Sequence, residues 1–206
     1  MEKGKSNEDS TLLSDVTGNN YVEILDSEIT IDEIVSTANK HLKDGKSTSD
    51  GWVKKMLTNL PICILYTIQL IFNMILKSTV YPTKWRTTAV SEIFKNKGDS
   101  SNASNYRPIS LVPLLSKLFD FILCNRFTTW FKPNDSQTAY QKKKSTADHV
   151  FFLRCIIQEC MRKSMKLYII AVDFDGAFDR ISRSHLIRKL VQVLVPYSLP
   201  VLLLCT

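Results

Sequence analysis

Glycine and histidine are scarce in this chain, at 6 and 3 of 206 residues. There is no Gly-rich loop to cradle a nucleotide and no G-x-S-x-G elbow for a serine nucleophile. Gly45-Lys46-Ser47 has the ending of a phosphate loop but lacks the upstream glycine and strand. His41, His149 and His185 share no mutual spacing and none stands at ligand distance from a cysteine, so they read as surface or capping residues. The five cysteines are odd in number and contain no C-x-x-C pair, which argues against a zinc ribbon or a disulfide framework. Four of them sit among apolar residues and read as small core side chains in a reduced compartment. No apolar run reaches the roughly 20 residues of a spanning helix. Residues 60–76 are interrupted by Pro61, Gln69 and Asn73, and residues 190–205 by Gln192, Pro196 and Pro200. Both are expected to be buried helical pieces of a soluble domain. Met1–Ser10 is polar and does not read as a signal peptide, so the expected location is intracellular, cytoplasm or nucleus, with no membrane partner.

What is present is an ordinary globular composition, 44% hydrophobic and 23% charged, long enough for one or at most two domains with a core of their own. The net charge of +7 hides a split. Residues 1–50 hold 5 Lys+Arg against 11 Asp+Glu, a net −6, whereas residues 51–206 hold 22 against 9, a net +13. A basic body favours a polyanion such as nucleic acid or a phosphorylated ligand. An ordinary soluble basic surface is the competing reading.

Residues 1–29 are expected to be a disordered acidic tail, with order starting near Thr30. Thr30-Ile31-Asp32-Glu33 has the form of a capping box, and Ile31, Ile34, Val35, Ala38 and Leu42 follow at helical spacing. Residues 52–77 read as helical with a break at Pro61, and Tyr81-Pro82 closes that stretch. Residues 87–94 and 109–111 suit strands either side of a polar loop, residues 96–105. Apolar residues at 114, 115, 118, 119, 122, 123 and 127 predict a helix. A second helix is expected over 146–165, with Ala147, Val150, Phe151, Leu153, Ile156 and Ile157 inside. Leu167–Val172 is a continuous apolar run of strand length, suited to burial on both faces. Ser182 or Ser184 can cap a last helix through Val195. The order of elements indicates an α+β fold.

The sharpest chemical feature is Val172-Asp173-Phe174-Asp175-Gly176-Ala177-Phe178-Asp179, three carboxylates at the end of the expected strand. Carboxylates there are costly unless paired or bound to a cation. Hard ions such as Mg²⁺ suit them, and two such ions can clamp both oxygens of a phosphoryl transfer. The plainer alternative is a strand-exit turn with solvated or helix-capping aspartates. A second feature is basic. Lys95, Lys97, Arg107 and Lys117 flank the polar loop, and Lys142, Lys143 and Lys144 form a run. Arg107, between Tyr106 and Pro108, is either pinned structurally or aimed at an anion, and its planar fork suits phosphate oxygens.

Several segments, in order, resemble one family. Asn105-Tyr106-Arg107-Pro108-Ile109-Ser110-Leu111, then Ser116-Lys117-Leu118 and Asn125-Arg126-Phe127, resemble the fingers motif of reverse transcriptases from non-LTR retrotransposons. Upstream, Phe72-Asn73, Pro82, Trp85-Arg86 and residues 93–99 fit the same pattern. Downstream, Gln137-Thr138-Ala139-Tyr140 and Ser145-Thr146-Ala147-Asp148 resemble the next block, and Asp173 to Asp179 the first catalytic motif of the palm. Gly176, Ala139-Tyr140 and Ser91-Glu92 depart from the usual residues.

The resemblance implies a partial right-hand polymerase in residues 30–206, with fingers over 30–165 and the start of the palm over 166–206. It implies that Asp173 is a catalytic metal ligand and that the Phe174 carbonyl helps hold a second ion, Mg²⁺ or Mn²⁺. Phe178 would be the aromatic gate against a ribose 2′-hydroxyl. Arg107 and Lys95 would hold the triphosphate of a dNTP, and Lys142–Lys144 would meet nucleic acid. RNA template and DNA primer would be the partners. The second palm motif, an aromatic-x-Asp-Asp hairpin, is not found: residues 180–206 contain no Asp or Glu. The thumb and second half of the palm are likewise expected to be absent, either lost or supplied by a further carboxyl-terminal portion. The expectation is therefore a truncated RNA-directed DNA polymerase, inactive alone. A non-catalytic nucleic-acid-binding remnant and a pseudogene product are the alternatives.

Overall fold

The computed structural model describes residues 22–44, 48–174 and 180–192. The chain divides into two compact units, one of residues up to Trp130 together with those from Ser182 onward, the other Phe131–Ile181.

The first unit begins before Thr30. Helix α1, Glu23–Asp26, buries Leu25, and Ile29 is fully buried behind it. The acidic front therefore contributes core side chains within residues 22–29, where the sequence suggested a tail. Residues 1–21 lie outside the described residues. Helix α2, Ile31–His41, starts at Thr30, whose Oγ1 accepts from the Glu33 amide at 3.2 Å. The capping box is only half made, because the Glu33 carboxylate turns instead to Arg126. Helices α3, Lys54–Thr58, and α4, Ile62–Ser78, flank the break at Pro61. A proline there lacks the amide that would continue the first helix but starts the next one well.

Strands β1, Ala89–Phe94, and β2, Tyr106–Leu111, form an antiparallel hairpin in the register Ile93↔Arg107 and Phe94↔Tyr106. The second strand is longer than the apolar triplet 109–111 suggests. Tyr106 joins it because its ring packs on Phe94 at 5.3 Å. Helix α5, Leu114–Trp130, follows and buries Leu114, Leu118, Phe119 and Ile122. These meet Ile34 and Ala38 of α2, and Ile68, Phe72 and Ile75 of α4, in one core. Trp85 closes its edge, with rings 6.1 Å from Phe72 and 5.6 Å from Tyr81. Helix α7, Arg183–Gln192, buries Ile187, and Leu190 packs beside Leu25. The Ser182 hydroxyl accepts from the His185 amide at its start. Residues 193–195, expected to extend that helix, lie outside the described residues.

The second unit holds helix α6, Thr146–Arg162. Ser145 precedes it and donates its amide to the Asp148 carboxylate at 2.8 Å. No residue of this helix is buried, and Val150, Phe151, Leu153 and Ile156 are exposed, contrary to the sequence expectation. The run Leu167–Val172 forms no strand, and Ile170 is 87% exposed. A strand needs a neighbour to receive its hydrogen bonds. Among the described residues the only sheet is β1–β2, so this run has none. The cysteine expectation also fails: Cys63 and Cys124 are exposed, off the buried faces of α4 and α5. On α6, which buries nothing, Cys155 is exposed and Cys160 half-buried, while Cys205 lies outside the described residues. No described helix is long and apolar enough to cross a membrane.

Candidate nucleic-acid interface

The β1–β2 hairpin carries one of the expected phosphate-binding residues, Arg107, on β2, and the other, Lys95, directly after β1. Arg107 is paired with Ile93, and Lys95 is the first residue after β1, its amide donating to the Asn105 carbonyl at 2.8 Å. The loop between the strands is held by its own side chains. Asn105 Nδ2 donates to the Asp99 carbonyl at 2.7 Å, and the Tyr106 hydroxyl to the Ser100 carbonyl at 3.0 Å. Gly98 is required: its φ is +82°, and a Cβ there would lie 2.6 Å from Asn105 Nδ2.

The two cations differ in availability. The Lys95 ammonium donates to the Ser104 carbonyl at 2.8 Å, which ties it to the loop. The Arg107 guanidinium is exposed and makes no hydrogen bond or ion pair to a described residue. Of the pair, Arg107 is the one free to meet an anion.

Lys142, Lys143 and Lys144 are all exposed, in the second unit. Lys143 adopts a left-handed backbone, φ 63°, in the turn before α6. His149 of α6 pairs with the Thr138 hydroxyl.

Asp173 and Phe174 are exposed, at the end of the unpaired run. Phe178, Asp175 and Asp179 lie outside the described residues. Among the described residues no three His, Cys, Asp or Glu side chains gather as a metal site. Asp173 by itself does not fit a bound ion, since a hard cation takes several oxygens.

Other residues of the recognised segments turn out to build the scaffold. Asn73 brackets the Ile29 peptide, its Oδ1 accepting the Ile29 amide at 2.7 Å and its Nδ2 donating to the Ile29 carbonyl at 3.0 Å. Arg126 is buried and forked on Glu33, at 2.8 Å from Nε and 2.6 Å from Nη2. It also donates to the carbonyls of Leu25, Ser27 and Glu28. Ser116 hydrogen-bonds the Tyr81 hydroxyl at 2.6 Å, and the same hydroxyl reaches Asp120 at 3.5 Å. Burial pushes the Asp120 carboxyl up to about 6, against the pull of the Tyr81 hydrogen bond. Burial likewise raises the Tyr81 hydroxyl to about 12. Asp120 was not singled out in the sequence, where a lone Asp on an apolar helix carries no signal of its partner.

Residues 94–203 match the family model described as reverse transcriptase (RNA-dependent DNA polymerase). The matched segment starts at the last residue of β1 and includes Arg107, Lys142–Lys144 and Asp173. A probable RNA-directed DNA polymerase from transposon BS of Drosophila melanogaster is 30% identical over 175 residues, 82% of this chain and 19% of that protein. The RNA-directed DNA polymerase from mobile element jockey of the same species is 23% identical, again over 82% of this chain and 19% of that protein. A Pol polyprotein from the type-1 retrotransposable element R2 of Popillia japonica is 31% identical over 53% of this chain and 15% of its own length. The chain thus spans about a fifth or less of these relatives. The matched segment and these relatives agree, and the chain belongs to the reverse transcriptase (RNA-dependent DNA polymerase) family, on the side of it carried by non-LTR retrotransposons.

Proposed function

We propose that this chain is the fingers and the start of the palm of an RNA-directed DNA polymerase, which grips an RNA template, a DNA primer and an incoming dNTP. The observation that carries the reading is the hairpin face with an exposed, unpaired Arg107, inside the segment that matches the family. An Arg fork on a short, internally braced hairpin is suited to triphosphate oxygens, where fixed positive charge offsets the charge of the transferring phosphoryl group. Lys95 would support it with the two ammonium hydrogens not given to the Ser104 carbonyl. Phe178 would sit under the sugar, and Lys142–Lys144 would meet the nucleic-acid backbone. Asp173, with the Phe174 carbonyl, would contribute to holding Mg²⁺ or Mn²⁺, whose chemistry when bound is to neutralise and align the phosphates. One carboxylate cluster is too few for two ions. These 206 residues by themselves are therefore expected to bind nucleic acid and nucleotide without extending a primer.

Primer extension on an RNA template with Mg²⁺ or Mn²⁺ tests the inactivity. Robust dNTP incorporation that is lost in Asp173→Ala would refute it. Labelled-dNTP binding tests the grip: Arg107→Gln should weaken it about tenfold, the worth of a charge-assisted hydrogen bond. Unchanged binding in a folded Arg107→Gln protein would refute the assignment of that residue.

A further inference from the structure

Three lysines far apart in sequence converge on one cavity that is separate from the hairpin. Lys43 follows the end of α2, Lys54 opens α3, and Lys117 lies in the first turn of α5. They line a cavity of about 230 Å³ together with His41 and Phe121. Lys54 is largely buried, its side chain 17% exposed, and its ammonium donates to the Asn39 carbonyl at 3.2 Å. Asp44 is the carboxylate it reaches, at 4.0 Å, and that side chain is 79% exposed. Lys43 and Lys117 make no side-chain hydrogen bond or ion pair to a described residue.

The imidazole of His41 is fixed rather than loose. Its ring stacks on Phe121 at 4.8 Å, and its Nε2 lies 3.0 Å from Asn125 Oδ1. An amide oxygen only accepts, so Nε2 carries the hydrogen, and Nδ1 is an acceptor that would meet a phosphate through a phosphate O–H or a bridging water. The three lysines outnumber the two carboxylates beside the hollow, Asp44 and Asp50, whose Oδ2 accepts the Leu114 amide at 3.1 Å, so the surroundings favour an anion. The hollow is smaller than the roughly 300–1,000 Å³ of a pocket that encloses a whole small molecule. It suits one compact, multiply charged group.

We propose that this cavity is a phosphate-binding site, formed by Lys43, Lys54 and Lys117 with His41 at its wall. The ligand is a phosphate group, either a phosphodiester of a bound nucleic acid or a free phosphate. Lys43 and Lys54 lie outside the segment that matches the family. The inference stands apart from the polymerase reading, since neither the hairpin nor Asp173 takes part.

The test uses the full chain, the double variant Lys43→Gln/Lys117→Gln, and Lys132→Gln/Lys166→Gln, two exposed lysines with no assigned role, as a control of equal charge. Lys54 is left alone because its burial makes it part of the fold. Inorganic phosphate is titrated while the His41 ring signals are followed by NMR. A roughly 12-nucleotide single-stranded RNA is titrated by anisotropy at several salt concentrations. Phosphate should shift the His41 signals, and the double variant should weaken that response about tenfold. If the occupant is a backbone phosphate, the double variant also lowers the salt slope of RNA binding by roughly 0.7 per lost contact. If it is free phosphate, only the first arm responds. A His41 signal indifferent to phosphate together with unchanged RNA binding in the folded double variant overturns the proposal. So does an equal loss in the Lys132/Lys166 control, which would show diffuse charge rather than a site.

Discussion

Replacing Asp120 by Asn should stabilise the protein at neutral pH and lose that advantage in acid. Asp120 lies on α5 against Tyr81, whose hydroxyl is shared with Ser116. Burial raises its folded-state value from 3.8 to about 6. The folded protein therefore binds this proton more tightly than the unfolded chain does. Above pH 6 the folded state carries a desolvated carboxylate, and stability is lower than it would be with a neutral group. As pH falls from about 6 towards 4 the penalty fades, because protonation favours the folded form. Two units correspond to about 3 kcal/mol at most, since one unit is about 1.4 kcal/mol. Allowing for relaxation around the group, about 1–3 kcal/mol is expected. Asn keeps an oxygen for the Tyr81 hydroxyl and removes the charge. Urea unfolding followed by circular dichroism at pH 7.5 and at pH 4.5 would measure both proteins. The variant should be the more stable at pH 7.5, with the gap closing at pH 4.5. Equal destabilisation at both values would show that the carboxylate is not penalised and that the reasoning is wrong.

Arg126→Met should cost about 3–5 kcal/mol in the same urea assay, because it strands Glu33 and three backbone carbonyls; a loss under 1 kcal/mol would show that the clamp is dispensable. Asn73→Ala should cost about 1–3 kcal/mol by leaving the Ile29 peptide without its partner, although Gln69 still reaches that carbonyl at 3.0 Å. Faster hydrogen exchange at the Ile29 amide would locate the effect. Gly98→Ala should cost about 1 kcal/mol or more, since alanine is strained at φ +82° and meets Asn105. Faster exchange confined to the β1 and β2 amides is the expected signature, and unchanged exchange there would contradict it.

Local chemistry was legible in the sequence, and distant partnership was not. Thr30 as a cap, Pro61 as a break and the spacing of Leu114, Leu118 and Ile122 each depend on neighbours within a turn or two, and each appears in the structure. The half-made capping box shows the limit. Glu33 satisfies the pattern in sequence, but an arginine 93 residues away offers a buried, forked partner and wins. The helix α6 and the run 167–172 show it again. Apolar pattern predicts that a face wants burial, but burial needs a second surface, and no residue of α6 is buried. Cysteine burial failed for the same reason, since an apolar neighbourhood in sequence does not decide which side of a helix faces the core. At the candidate site, that Lys95 and Arg107 flank one loop was implicit in the two strands either side of it. That Lys95 would spend its ammonium on the Ser104 carbonyl was not.

The charge split takes a more definite meaning from the ion pairs. Lys77 meets Glu28 at 2.6 Å, Arg126 meets Glu33 at 2.6 Å, and Lys54 lies 4.0 Å from Asp44. Each joins a carboxylate of the acidic front to a cation of the basic body, across 10 or more residues of sequence. The front is therefore more than a repelled tail: it neutralises those basic groups that the fold brings within reach. Among the described residues, the cations it leaves unpaired include Arg107 on the hairpin, Lys43 and Lys117 at the cavity, and the run Lys142–Lys144. Exposed cations without internal partners are the ones that can release counterions on meeting a polyanion. The salt dependence of RNA binding should accordingly follow these residues, and substitutions at Lys77 or Arg126 should alter stability while leaving that slope in place.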